Sequence, residues 1–421
     1  MAIRDALALT EDQRALRDTL RGFLADQLPS AALRAMIDTE PGYRPDLHAR
    51  LGTELRLTGP TIPGEFGGRG LSQAEACVVH AELGRTLYPG PFLASSLAAG
   101  VLLAATNGFP PTDGAPPTES FPPADGFPPT DGFPPADSAA AAGRAAAKRW
   151  LPLLADGSVT GTIAAADKDG RWSSPPGSVR AHLTPHGWRL YGSCWYVIAA
   201  HVANILVVSA RAGSVPAMFL VEAGATGLRS TAQRSLDLTR RVYVTTFDAT
   251  PAVLLAQDGP AVAILQQAER DFLLATAAEA AGGISWCLDT AVLYARDRSQ
   301  FSRPAGSFET VAHACVGMLE AFQSAETAAR HAAASAAAGA AEAPTAARVA
   351  ALRAGQAYRT VTETAIRLFD GIGSTWEHDA HLYYRRAWSA ERLAGGPQAH
   401  RAALTARELA ADLRQVLGDL G

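Results

Sequence analysis

Hydrophobic residues near the start of the chain recur with the 3.6-residue period of an amphipathic helix. Thr10 and Glu11 precede this run, and a hydroxyl residue at that position is typical of a helix start. The run consists of Leu16, Leu20, Phe23, Leu24 and Leu28. The pattern predicts helices over residues 10–105. Prolines and glycines interrupt them at residues 60–70, and a helix resumes over residues 72–84.

Residues 108–137 form five proline-rich hexads: GFPPTD, GAPPTE, SFPPAD, GFPPTD and GFPPAD. Two prolines in each hexad remove backbone donors and favour polyproline II, so this block cannot form a packed core. We expect a disordered surface insertion, because the block is a repeat expansion without basic residues. A proline-rich ligand for a partner is the alternative. The helical pattern returns over residues 139–155.

The period changes to short, strand-like runs over residues 158–255, where Gly, Pro and Asp separate stretches such as GWRLYGSCWYVI and ANILVVSA. This pattern predicts an antiparallel β domain, either a barrel or a sandwich. Residues 259–420 return to long Ala- and Leu-rich helices, which suggests a four-helix bundle.

The chain is therefore predicted to be a multi-domain α+β protein. Its parts would be an amino-terminal helical domain (1–155), a middle β domain (156–256) and a carboxy-terminal bundle (257–421). This order does not suit a Rossmann dehydrogenase, which would alternate strands and helices, and the sequence has no GxGxxG motif.

Composition narrows the class further. The 421 residues are 48% apolar, with a net charge of −4, so a nucleic acid or an anionic membrane is not expected as a partner. The start has no apolar signal region, and no apolar run is long enough to span a membrane, which favours a cytoplasmic protein. The four cysteines lack metal-ligand spacing and are expected to be reduced thiols, so no metal site is predicted.

Two carboxy-terminal segments resemble signatures of the acyl-CoA dehydrogenase family. They are YARDRSQFSRPAGSFETVAH (residues 294–313) and LFDGIGSTWEHDAHLYYRRA (residues 368–387). The stretches PGEFGGRGLS and GWRLYGSCWYV are also similar to family sequences. The likeness covers the chain apart from the hexads, and it implies the family's α–β–α fold, with FAD as cofactor and an acyl-CoA or acyl-carrier thioester as substrate.

The family's reaction is an α,β-dehydrogenation, in which a carboxylate removes the α proton and flavin N5 accepts a hydride from the β carbon. The resemblance implies that Arg298 reaches the FAD pyrophosphate of a neighbouring subunit. Phe301 and Phe308 would flank the adenosine, and the turn at Gly371 would admit the dinucleotide backbone. The alternatives are an Arg298 that pairs with neighbouring acids, two core aromatics and a simple turn glycine.

The sequence departs from the family pattern around the flavin. Glu309 takes the place of a flavin-contacting Gln, and Arg367 and Asp370 stand where the family often has Gln and Gly. Tyr196 aligns with the aromatic residue beside the isoalloxazine ring, whereas Ile198 falls where Ser or Thr would bind N5. The resemblance thus places Tyr196, Glu309 and Arg367 near the cofactor.

The usual catalytic base is also missing. The family commonly has a Glu at the position of Ala394, and some relatives place the base at the position of Phe272. Neither residue can accept a proton. Glu279, further along the same predicted helix, is the remaining candidate, since its apolar surroundings would raise the pKa of its carboxyl group. Alternatively, Glu279 is a structural residue.

Two hypotheses of different class follow. In the first, the chain is one subunit of a hetero-oligomeric acyl-CoA dehydrogenase, similar to actinobacterial paired-subunit members, and a homologous subunit supplies the missing base and flavin contacts. In the second, it is a flavin-free or diverted dehydrogenase-like protein of a specialised biosynthetic pathway. A third, milder variant is a homomeric flavoenzyme, assembled as a homotetramer, in which Glu279 is the catalytic base.

Overall fold

The structure is a computed structural model that describes residues 8–107, 136–172, 178–300 and 302–418. Most of the predicted insertion at 108–137 lies outside the described residues. Its last two residues begin a helix, α6.

The amino-terminal helices begin where the sequence predicts. Thr10 and Gln13 form a capping box at the first helix, and Ser72 and Glu75 form another at the fourth, so each satisfies backbone N–H groups that lack partners within the helix. A short 3-10 turn, Gly64–Phe66, occupies the predicted break. The helices are α1 (Glu11–Gln27), α2 (Ser30–Ile37), α3 (Pro45–Thr53), α4 (Gln73–Arg85), α5 (Phe92–Asn107) and α6 (Ala136–Ala155).

The middle region contains a closed barrel of five strands, in the order β4, β2, β3, β7, β5 and back to β4. Strand β1 pairs with β4 and strand β6 with β7, both outside the closed ring. The strands are β1 (Gly161–Ala164), β2 (Val179–Thr184), β3 (Gly187–Ile198), β4 (Ile205–Ala212), β5 (Val215–Glu222), β6 (Leu228–Ala232) and β7 (Val242–Gln257).

The prediction of a purely antiparallel sheet is wrong, because β4 pairs with both β1 and β2 in parallel. Neighbouring strands of a closed ring can alternate in direction all the way round only if their number is even. A five-stranded ring therefore needs at least one parallel pair, and here it is β2 with β4. The other four pairs of the ring are antiparallel.

Five helices follow the barrel in the described carboxy-terminal part. The long helices α7, α8 and α9 pack against one another, α10 packs on α9 and α7, and α11 packs on α9. A two-stranded hairpin, β8 (Ser299–Gln300) and β9 (Arg303–Pro304), separates α7 from α8. The helices are α7 (Gly259–Asp297), α8 (Glu309–Ala337), α9 (Ala343–Leu368), α10 (Ala380–Ala390) and α11 (Gly396–Gly418). None of the helices in the described ranges is long and apolar enough to cross a membrane.

The helices before and after the barrel share one hydrophobic core. That core includes Leu83 of α4, Leu102 of α5, Ile284 of α7 and Val361 of α9, all at most 2% exposed. The barrel interior forms a separate cluster, which contains Leu190 and Phe219 among other residues. The barrel is therefore inserted, in chain order, between two halves of a single helical core.

Helices α4 and α7 approach each other closely enough to require glycine. A Cβ atom added at Gly282 of α7 would overlap the backbone carbonyl of Ala81, and one at Gly84 of α4 would overlap the backbone of Glu279. The helix backbones are thus in direct contact at this crossing. The contact fixes the position of Glu279 relative to α4.

Candidate functional site

Tyr196, the predicted neighbour of a flavin ring, lies near the end of β3 with a left-handed φ of 54°. Its backbone N–H donates to the side chain of Gln233, and its hydroxyl donates to the carbonyl of Lys168. It borders a cavity of about 20 Å³ between the barrel and the helices. The cavity is lined by Ala94, Leu97, Thr162, Ile163, Ala166, Gly170, Trp172, Tyr196, Ile198, Phe272 and Leu393. We call it the ring pocket.

The ring pocket does not fit a flavin ring. A volume of about 20 Å³ holds roughly one water molecule, whereas an isoalloxazine has three fused rings. Trp172 lines the pocket and stacks on Phe272, with ring centroids 5.2 Å apart and an interplanar angle of 28°. The expectation that Tyr196 contacts a flavin within this chain is therefore not supported by the space beside it.

One of the two positions at which the family places its base lines this pocket, and the other directly follows a lining residue. Phe272 lines it directly, and Ala394 follows the lining residue Leu393 in the 3-10 turn Leu393–Gly395. The described residues around the pocket include neither a carboxylate nor an imidazole. Proton removal from a bound thioester thus has no acceptor at either position.

Glu279 lies two helical turns beyond Phe272 and does not line the ring pocket. It borders a different cavity, also of about 20 Å³, together with Arg240 and Tyr88. Its carboxylate accepts a hydrogen bond from Arg240, and the Nη1 of Arg386 lies 3.7 Å from the same oxygen. The Nδ1 of His80 lies 3.7 Å from the other oxygen.

The predicted rise in the pKa of Glu279 is wrong. Burial does raise the pKa, but the charge of Arg240, the nearby imidazole of His80 and the charge of Arg386 outweigh it and hold the pKa at about 2. A carboxylate with so low a pKa and a buried ion pair is a poor general base.

The ion pairs of Glu279 belong to a buried charge network that connects three elements. Arg386 of α10 also pairs with Asp237, which precedes β7, and its Nη2 donates to the side chain of Thr239 at 2.6 Å. Arg240, Glu279, Asp237 and Arg386 are buried and balance in charge, with two guanidinium groups and two carboxylates. This geometry favours a structural role for Glu279 over a catalytic one. The sequence alone did not reveal Arg240 and Arg386 as its partners.

Arg298 lies beside the turn that contains Gly371. Arg298 ends α7, hydrogen-bonds to the hydroxyl of Tyr294 and lies 3.6 Å from the carboxylate of Asp370. Asp370 takes a left-handed φ of 57° at a position where the family often has Gly. Its carboxylate neutralises part of the charge that Arg298 would offer to a phosphate.

Within the described residues, Arg298 forms neither of the two alternative ion pairs, with Asp297 or with Glu309. Asp297 pairs instead with Arg296 at 3.3 Å, and Glu309 pairs with His313 at 3.8 Å. Both of those pairs are largely exposed, so they contribute little to stability.

The remaining predicted residues lie around the start of α8 and the turn. Phe308 precedes α8, and the guanidinium of Arg303 stacks on its ring at 3.9 Å. Glu309 begins α8 with its side chain 84% exposed. Phe301 lies outside the described residues. A Cβ atom at Gly371 would meet nothing within 4 Å, so the surface there is open.

Arg367 lines a separate, open groove of about 500 Å³. The groove carries a second guanidinium, that of Arg385, and the buried ring of His381, whose two nitrogens have no hydrogen-bond partner in the described part of the chain. Its lining residues are Leu236, Glu363, Ile366, Arg367, Ser374, His381, Tyr384 and Arg385. Only Arg367 was singled out from sequence. The paired arginines of the YYRRA segment were the available signal for Arg385.

Family comparisons match both helical regions. The model described as "Acyl-CoA dehydrogenase, N-terminal domain" matches residues 10–107, and "Acyl-CoA dehydrogenase, C-terminal domain" matches residues 272–410. The two matches together cover more than half of the chain. They flank the strand-containing region.

Among curated proteins, the chain is 27% identical to acyl-CoA dehydrogenase IpdE2 of Mycolicibacterium smegmatis, over 93% of this chain and 96% of that protein. It is 31% identical to acyl-CoA dehydrogenase FadE34 of Mycobacterium tuberculosis, over 97% of this chain and 51% of that protein. The chain thus spans about half the length of FadE34.

Solved structures share the fold over almost the whole chain. A variant of the Tcur3481-Tcur3483 steroid ACAD superposes with a TM-score of 0.78 and 26% identity, covering 95% of this chain and 99% of that one. The ChsE4-ChsE5 complex of Mycobacterium tuberculosis gives a TM-score of 0.78 at 23% identity, covering 96% and 98%. With both family models and the fold in agreement, the chain belongs to the acyl-CoA dehydrogenase family.

Proposed function

We propose that this chain is one subunit of a hetero-oligomeric, FAD-dependent acyl-CoA dehydrogenase, and that a homologous partner supplies the catalytic base and the flavin-ring site. The observation that carries the proposal is the contrast between two regions. The ring pocket is small and lined mainly by apolar side chains, and neither base position carries a proton acceptor, whereas the turn at Gly371 and the groove at Arg367 are open.

The open region suits the dinucleotide end of a cofactor held by the partner. Arg298 would donate its fork of N–H groups to a diphosphate, and the absence of a side chain at Gly371 would let the backbone approach it. Asp370 must turn away from Arg298 on binding, which its 77% exposed side chain permits. The flavin would accept the hydride. This chain would help to position the cofactor by contacts across the interface between the subunits.

Two similar structures, each named for a pair of proteins, support the paired arrangement. One is a complex of ChsE4 with ChsE5, and the other carries the double name Tcur3481-Tcur3483. We propose an acyl-CoA or an acyl-carrier thioester as the substrate of the assembly.

A flavin-free role in a biosynthetic pathway is the second candidate, and the closed ring pocket favours it. A single experiment separates the two. The chain is purified alone and after co-expression with a homologous dehydrogenase encoded beside it, and the visible spectrum and the size of each product are measured. We expect flavin only in the co-expressed complex, bleached by an acyl-CoA. A colourless product in both preparations would reject the proposal in favour of the flavin-free role, and full flavin on the chain alone would reject both.

Arg298→Ala should weaken flavin retention by the complex about tenfold, since one hydrogen-bonded charge contact contributes about 1.5 kcal/mol or more. Flavin released on dilution and gel filtration, followed by its fluorescence, measures this effect. Arg296→Ala is the matched control, because Arg296 lies in the last turn of the same helix. Its side chain is 73% exposed and pairs with Asp297. Equal retention by the two variants would refute the role of Arg298.

A further inference from the structure

The ring pocket lies between strands of the middle region and two helices. Tyr196 and Ile198 come from β3, and Leu97 and Phe272 come from helices α5 and α7. Trp172, another lining residue, lies outside regular secondary structure. Whether a planar ring can enter this pocket therefore depends on where the Trp172 indole is held.

The segment that carries Trp172 is ordered by its own hydrogen bonds. The side chain of Asp167 accepts from the backbone N–H groups of Asp169 and Arg171, both at 2.9 Å. The backbone N–H of Asp167 donates to the carbonyl of Arg171, and that of Gly170 donates to the carbonyl of Asp167, both at 3.0 Å. These bonds close residues 167–171 into a tight turn that leads directly into Trp172.

The same turn packs against the segment that contains Ala394. A Cβ atom at Gly170 would lie 3.6 Å from the backbone nitrogen of Gly395 and 3.7 Å from the ring of Tyr196. A Cβ atom at Gly395 would lie 3.4 Å from the side chain of Arg171. The turn at residues 167–171, which precedes Trp172, thus packs against Tyr196 of β3 on one side and against the 3-10 turn Leu393–Gly395 on the other.

The polar side chains of the pocket are already used within the chain. Thr162 donates to the carbonyl of Ile198 at 2.6 Å. The hydroxyl of Tyr196 donates to the carbonyl of Lys168 at 3.3 Å. The other side chains that line the cavity are aliphatic or aromatic, and apart from the indole N–H of Trp172 they offer no donor to the polar edge of a flavin.

We propose that Trp172 is a built-in plug, which together with Phe272 occupies the space of a flavin ring and keeps this chain's own ring pocket free of flavin. The two side chains line the pocket and stack on each other with centroids 5.2 Å apart, and the space that remains beside them is only about 20 Å³. This inference rests on the proposed function and deepens it, because it fixes one flavin for each pair of chains in the complex.

The test uses the full chain alone and lumiflavin, an isoalloxazine without the ribityl tail, with binding followed by quenching of its fluorescence. We expect no saturable quenching with the wild-type chain. The double variant Trp172→Gly/Phe272→Ala should bind one equivalent, with an affinity at least tenfold above that of the wild type. One-to-one binding by the wild type, or no binding by the folded double variant, would overturn the proposal.

Trp150→Gly is the matched control, because Trp150 is 8% exposed, in α6, and does not line the ring pocket. Its variant gains an indole-sized cavity elsewhere and should not bind lumiflavin. If this variant bound lumiflavin equally well, any indole-sized cavity would be enough for binding. That result would contradict the assignment of the ring pocket as the flavin-ring site that Trp172 fills.

A second measurement applies if the double variant does not fold. Trp172→Ala should melt at a lower temperature than the wild type, and added free indole should raise its Tm but not that of the wild type. An unchanged Tm with indole would overturn the plug. These experiments use the chain alone, so their outcome does not depend on co-expression. A co-expressed complex without flavin would reject the proposed function and leave the assignment of Trp172 standing.

Discussion

Replacing Glu279 by alanine is expected to lower the free energy of unfolding by about 3–5 kcal/mol, the usual cost of removing one partner from a buried ion pair. Arg240 would lose its ion-pair partner while it remains 7% exposed, and one of its nitrogens already lacks a hydrogen bond within the described chain. Arg386 would keep its ion pair with Asp237 and its hydrogen bonds to Thr239. Urea unfolding followed by far-UV circular dichroism measures the loss.

Glu377→Ala is the control for that substitution, because Glu377 is an exposed acid and should change stability by no more than about 0.5 kcal/mol. If Glu279 were instead a catalytic base, its removal would leave stability nearly unchanged. A stability loss below about 1 kcal/mol for Glu279→Ala would therefore contradict the structural role argued from its ion pairs.

The same carboxylate gives the protein an acid-sensitive contribution to stability. The folded state holds the pKa of Glu279 at about 2, below its ordinary value of 4.5. A depressed pKa stabilises the fold above the ordinary value, and this stabilisation is lost as the pH falls from about 4.5 towards 2. The difference in unfolding free energy between the wild type and Glu279→Gln should shrink over this range, and a constant difference would argue against the assignment.

Gly282→Ala is expected to destabilise the chain by about 2 kcal/mol. Overpacking costs about 1–3 kcal/mol, and the upper end applies because the new Cβ would overlap the backbone carbonyl of Ala81, which no side-chain rotation can relieve. The higher helix propensity of alanine returns about 1 kcal/mol. Denaturant unfolding of the isolated chain measures the net value.

Gly317→Ala on α8 is the control, since a Cβ atom there meets nothing within 4 Å. With only helix propensity at work, the substitution should stabilise the chain by up to about 1 kcal/mol. Similar effects at the two glycines would show that the close crossing of α4 and α7 does not limit side-chain size.

Local signals in the sequence predicted the secondary structure well. The starts of α1 and α4 follow from Thr10 and Ser72, because a capping residue acts within one helical turn and its partner lies three residues away. The change from a helical period to short runs with turns likewise located the strands. Signals of this kind need no knowledge of distant parts of the chain.

The errors arose where distant residues decide the outcome. Glu279 looked isolated among alanines and glycines, but Arg240 and Arg386, 39 and 107 positions away along the chain, reverse the direction of its pKa shift. The parallel pairing of β2 with β4 follows from closure of the ring, which no single strand sequence encodes. No local motif marked Trp172 as a pocket residue, since its position there depends on stacking against Phe272, 100 positions away along the chain.

The insertion of the barrel between two halves of one helical core has a consequence for synthesis of the protein. Helices α4 and α5 leave the ribosome long before α7, the helix that covers them, which is complete only at Asp297. At about 5–20 residues per second, that interval is on the order of 10 s. The barrel closes through β7, which ends at Gln257, so it can fold during the wait. The nascent amino-terminal helices meanwhile expose apolar faces, which makes them the part of the chain with the greatest need of a chaperone.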